Sequence, residues 1–141
     1  MFRDDLTIGG LLVPPALTSL IRAGGWVPPR RRQTLLEVFG DEPEQPSFYD
    51  LPDLARQNAS WQRRDVEEVF GVPIEGESLG IEPSLSILIA DLGIDMPIAL
   101  DYRDTAGPPP VLYLTFSPEA RWIKVASGIE ALIGVLYADE K

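Results

Sequence analysis

At 141 residues and 45% apolar, the chain has the size and composition of one globular domain, residues 1–141. It contains no Cys and no His, which excludes disulfides, thiolate nucleophiles, zinc–thiolate sites and histidine-based catalytic triads. Its net charge of −10 is uneven: residues 1–36 sum to +3, residues 37–104 to −12 and residues 105–141 to −1.

An acidic surface keeps a domain dispersed, and it also offers a face to a basic protein partner with fast, salt-sensitive association. It repels phosphate, so direct nucleic-acid binding is not expected. The start of the chain carries Asp4 and Asp5 early and has no apolar core of signal-peptide length. No apolar run approaches the roughly 20 residues of a membrane span, so a soluble, cytoplasmic protein is the expectation.

Residues 1–12 read as a lead-in ending in Ile8-Gly9-Gly10-Leu11-Leu12. Pro14 and Pro15 open a helix in which Leu17, Leu20 and Ile21 recur at helical spacing, and Gly24-Gly25 stops it. Trp26 is expected to fold back onto that helix end as core. Arg30, Arg31 and Arg32 stand at the start of a second helix, whose Leu35, Leu36 and Phe39 form an apolar stripe ended by Gly40. Residues 41–46 read as a loop.

Asp50 is a candidate N-cap for a third helix, with Pro52 and Asp53 in its first turn and Leu54, Asn58 and Trp61 on one face. Residues 65–70 continue it or form a separate turn, with Val66, Val69 and Phe70 inward and Glu67 and Glu68 toward water. Residues 71–83 read as a polar loop.

Four β-like runs follow: Leu85 to Asp91, Pro97 to Arg103, Val111 to Phe116 and Arg121 to Ala126. Both faces of the middle runs are bulky, so the sheet is expected to be covered by helices on one face and partly covered on the other. The short connections suit antiparallel hairpins. A last helix is expected after Ser127, whose spacing to Glu130 fits a capping box, with Ile129, Leu132, Ile133 and Leu136 as its buried stripe. The fold class is therefore α+β: a central antiparallel sheet of four or more strands over residues 85–126, covered by N-terminal helices and a C-terminal helix.

The acids around the sheet invite a metal or acid–base reading, but Asp91 and Asp95 flank a hairpin turn, where acids are common turn formers. Asp101 and Arg103 lie two apart on one strand face and suit an ion pair with each other or contacts with Lys124 and Arg121 nearby. No EF-hand, phosphate loop or nucleophile elbow is present, so no metal, cofactor or catalytic residue is assigned. Tyr49, Tyr102 and Tyr113 each carry a hydroxyl, and spacing selects none of them.

Two stretches carry a family resemblance. Val13 to Gly25 resembles the short helix ending at a Gly pair near the start of SUKH-superfamily domains. Pro97-Ile98-Ala99-Leu100-Asp101-Tyr102-Arg103, then Val111 to Leu114, then Trp122 to Ile133 resembles that family's strand–strand–strand–helix ending. Gly128-Ile129 replaces the usual aromatic there, and residues 26–84 match no motif of the family. The resemblance implies one SUKH-like α+β domain with no shared catalytic residues. It also implies a protein-binding role: neutralising a toxin, in many cases a nuclease, as a bacterial immunity protein, or acting as a regulatory module of the fungal cell-wall-synthesis-regulator type. The residues expected to meet such a partner are Glu67, Glu68, Glu75, Glu77, Asp91, Asp95, Asp101, Tyr102 and Arg103, with the acidic segment before the sheet as the main gripping surface.

Overall fold

The computed structural model describes residues 6–104 and 106–138. A five-stranded antiparallel meander forms its centre: β3 (Ser47–Phe48), β4 (Ser86–Asp91), β5 (Pro97–Asp101), β6 (Val111–Thr115) and β7 (Arg121–Ala126), hydrogen-bonded in that order. The α+β expectation holds. Strand β3 went unread, because two residues are too short to show a period.

Residues 7–12 are more than a lead-in. Thr7–Ile8 (β1) and Leu11–Leu12 (β2) pair as a hairpin, Thr7 opposite Leu12. Gly9 and Gly10 make its two-residue turn with φ of 58° and 84°, which residues with a side chain rarely adopt.

Helix α1 (Pro15–Arg22) ends as its glycines predict. The Gly24 N–H donates to the Ile21 carbonyl and the Gly25 N–H to that of Leu20, a Schellman closure that satisfies two of the last carbonyls. Trp26 then folds into the core and donates its indole N–H to the Ile89 carbonyl at 3.1 Å. Helix α2 (Arg32–Phe39) stops at Gly40 in the left-handed region, φ 84°. Helix α3 (Leu51–Trp61) is capped by Asp50, whose carboxylate accepts from the Asp53 N–H at 2.9 Å.

Helix α4 (Ile129–Leu136) corrects one expectation. Its N-cap is Gly128 with no side-chain cap, so Ser127 and Glu130 form no capping box. The reciprocal pattern occurs instead at Asp65 and Glu68, around a 3-10 turn over Val66–Val69. The stripe of α4 nevertheless buries Ile129, Leu132 and Leu136, so packing holds this helix in place where capping does not.

The sheet is covered on both faces. On one, Trp61 of α3 packs against Trp122 of β7, ring centroids 6.0 Å apart. On the other, Phe39 of α2 meets Tyr113 of β6 at 5.2 Å. Successive strand residues point to opposite faces, which explains why all five residues of β6 are buried.

Candidate functional site

Five of the nine residues marked in the sequence are engaged in internal contacts, Glu68 through its capping bond from the Asp65 N–H and four others through tertiary or cross-loop contacts. Asp91, at the end of β4, accepts a 2.7 Å hydrogen bond from the Tyr49 hydroxyl. Burial pushes the Asp91 carboxyl above the usual aspartate range, against the opposing hydrogen bonds from Tyr49 and the Gly93 backbone. Asp101 is 9% exposed and forms an ion pair with Arg103, Nε to Oδ1 2.9 Å. The same guanidinium donates to the carbonyls of Leu79 and Gly80, so it holds residues 79–80 against the end of β5. The Tyr102 hydroxyl donates to the Leu12 carbonyl and ties down the β1–β2 hairpin. Burial raises its pKa far above the ordinary tyrosine value.

Glu68, with Glu67, Glu75, Glu77 and Asp95, is nevertheless exposed. All but Glu67 line one of two neighbouring clefts. One, of about 330 Å³, brings Glu68 and Asp95 together with Arg64, Phe70 and Phe116. Phe70 was expected inside. It is 51% exposed, and its ring meets that of Phe116 (42% exposed) edge-on, centroids 5.6 Å apart. The cause is the backbone. Phe70 ends the 3-10 turn in the left-handed region (φ 56°, ψ 33°), which carries the side chain outward while Val69 alone of that turn is buried. A left-handed backbone at a non-glycine residue costs about 1–2 kcal/mol. The exposed ring recovers part of that through its aromatic pair.

The second cleft, of about 630 Å³, lies between residues 73–79 and Trp122, Ile123 and Lys124 of β7. Ile74 and Leu79, each 49% exposed, give it apolar walls, and Glu75 and Glu77 give it an acidic rim. Residues 65–82 contain six acids and no base, so both clefts share one negative surround.

Sequence reasoning also missed Asp41, which it placed in a plain loop. Its carboxylate accepts from the hydroxyls of Tyr113 and Thr115, each at 2.7 Å, and pins the chain after α2 to β6. Partial burial raises the Asp41 pKa, but hydrogen bonds from Thr115, Tyr113 and Ser117 and the charge of Arg121 outweigh it and hold the carboxyl below its ordinary value. No local signal marks this contact, because its partners lie more than 70 residues away.

Among the described residues, no three acidic side chains converge to hold a metal ion, and no helix is long and apolar enough to cross a membrane. What the two clefts offer is exposed aromatic and aliphatic surface with two carboxylates and one base on each lining, Arg64 in the first and Lys124 in the second. That chemistry suits docking of a protein surface bearing apolar and basic groups. No family model, curated protein or solved structure matches the chain.

Proposed function

We propose that this chain is a non-enzymatic protein-binding module of the SUKH immunity type, which acts in the cytoplasm by binding and neutralising a basic toxin domain, a nuclease being the leading class. The observation that carries this reading is the Phe70–Phe116 pair. A strained backbone keeps an aromatic ring at the surface, where it adds little to stability, and Glu68 and Asp95 stand beside it. Strain retained at an exposed aromatic points to a role outside the fold. Aromatic anchors with charged neighbours are the usual centre of a protein interface. The acidic run over residues 65–82 would speed the approach of a basic partner.

The test is co-expression with the toxin encoded beside this gene, followed by co-purification at low and high salt. Capture that falls at least tenfold in the Phe70→Ala, Phe116→Ala double variant, and weakens with salt, supports the reading. A chain that retains no basic toxin at low salt ends it. A non-toxin partner held with salt-insensitive affinity favours the regulatory branch of the same family.

A further inference from the structure

The two edges of the sheet are finished differently, and one is left open. In β7, Trp122 turns its backbone away from β6: its N–H donates to Ser78 Oγ and its carbonyl accepts from the Leu79 N–H, both at 3.0 Å. Backbone groups alternate along an antiparallel strand, so Lys124, two residues on, turns its N–H and C=O the same way. The register agrees, since Ile123 pairs with Tyr113 between them and the irregularity in the ladder comes only after Lys124. Residues 78–79 thus complete the edge at Trp122 and stop. At Lys124 the next donor and acceptor face the larger cleft, and among the described residues no backbone group beyond β6 bonds to them.

We propose that this edge is a strand-addition site, at which an extended segment of a partner protein, alternating apolar with lysine or arginine residues, pairs its backbone with Lys124. The occupant follows from the walls of the cleft. Ile74 and Leu79 present apolar surface to alternate side chains of an added strand, and Glu75 and Glu77 face the side chains between them. Glu75 and Glu77 outnumber Lys124 on the lining, and residues 65–82 carry six acids and no base, so the surround favours a basic segment. A second copy of the chain is the poorer occupant, because it would bring two molecules of charge −10 together. The inference rests on the protein-binding reading above and supplies its mode of contact.

The experiment is amide hydrogen exchange by NMR on the full chain, alone and with an end-capped octapeptide alternating valine and lysine. In the free protein the Lys124 amide exchanges fast and that of Ile123 slowly. Saturating peptide slows Lys124 at least tenfold, and the same peptide N-methylated at alternate residues has no effect. The Glu75→Gln, Glu77→Gln double variant weakens peptide binding severalfold at low salt and not at high salt. Lys124→Ala, which keeps the backbone edge, retains binding.

A Lys124 amide already protected at low protein concentration overturns the proposal, as does one unchanged by millimolar peptide. So does protection that grows with protein concentration alone, which would mark a second copy, or equal effects of the N-methylated peptide. Toxin capture with Lys124 still unprotected retires the edge and leaves the binding function standing. Peptide pairing without toxin capture does the reverse.

Discussion

The β4 edge and the β7 edge of the sheet answer the same physical problem in opposite ways. A strand edge exposes backbone donors and acceptors that invite pairing with other chains. At β4, strand β3 covers only Ala90 and Asp91, and Asn58 of α3, Gln62 just after it and the Tyr49 backbone cover Ser86 to Ile89. The Asn58 amide accepts from the Leu88 N–H at 2.7 Å and donates to the Leu88 carbonyl at 2.9 Å, as a neighbouring strand would. Gln62 donates to the Ser86 carbonyl at 3.0 Å, and the Tyr49 N–H to that of Ile89 at 3.1 Å. At β7 a polar loop covers one residue and leaves the next in a cleft. A closed edge serves stability, and an edge held half open beside exposed apolar groups is suited to recognition.

Removing the closure at β4 carries the largest expected effect. Asn58 is fully buried and also donates to the Leu54 carbonyl of its own helix. Asn58→Ala would leave the Leu88 N–H and carbonyl without partners, while the Leu54 carbonyl keeps its helical backbone bond, costing about 3 kcal/mol. Urea unfolding measures this, and a loss under about 1 kcal/mol would mean that water replaces the amide and that the β4 edge is not closed in the sense described.

The sequence placed Asn58 on the buried face of α3, with Leu54 and Trp61, but did not show what it does there. Helical periodicity reports which side chains point inward. It does not report that an inward amide lies against the backbone of a strand 30 residues later. The strands of the meander were legible because each alternates or runs apolar between turn residues. The surface was less so. Phe70 looked like core because it is aromatic and follows Val66 and Val69, and only the left-handed backbone at the end of the turn sends it outward. Glu67 and Glu68 were read as facing water and Glu75 and Glu77 as part of a polar loop, and all four are exposed. Arg103 was matched to Asp101, but its grip on residues 79–80 depends on tertiary packing.

That grip gives the next test. Arg103→Ala would leave the Asp101 carboxylate almost buried and unpaired and release the carbonyls of Leu79 and Gly80. The expected cost is about 2 kcal/mol, with faster exchange of the Leu79 amide, whose bond closes the β7 edge at Trp122. Stability lost with no change at Leu79 would uncouple the ion pair from that edge.

Two aspartates make the comparison pH-dependent with opposite signs. Asp41, held below the ordinary value of 3.8, contributes stability that is present above that value and is lost as pH falls through its lower folded pKa. Asp91, beside the closed edge, is raised by burial. Its ionisation therefore costs stability, by an amount absent below 3.8 that builds as pH rises to its folded pKa and stays in full above it. Asp41→Asn should destabilise the protein by about 1 kcal/mol at pH 7, with the deficit shrinking in strong acid. Asp91→Asn, whose amide oxygen can still accept from Tyr49, should stabilise it at pH 7 and leave it unchanged in strong acid. Denaturant midpoints across pH separate the two. The same sign for both would remove the distinction between an acid placed to be charged and one enclosed by packing.

The smallest stability effect is expected at Phe70, and its smallness is what the recognition reading requires. Phe70→Gly relieves about 1 kcal/mol of left-handed strain, since glycine adopts φ near 56° freely. It also removes the edge-on contact with Phe116, worth about 1 kcal/mol. The two oppose each other, so thermal unfolding should shift little while toxin capture falls sharply. A loss of more than about 2 kcal/mol would place the ring among the groups that hold the fold together. The outward turn of the chain at Phe70 would then belong to packing, and the Phe70–Phe116 cleft would lose its claim to be a docking face.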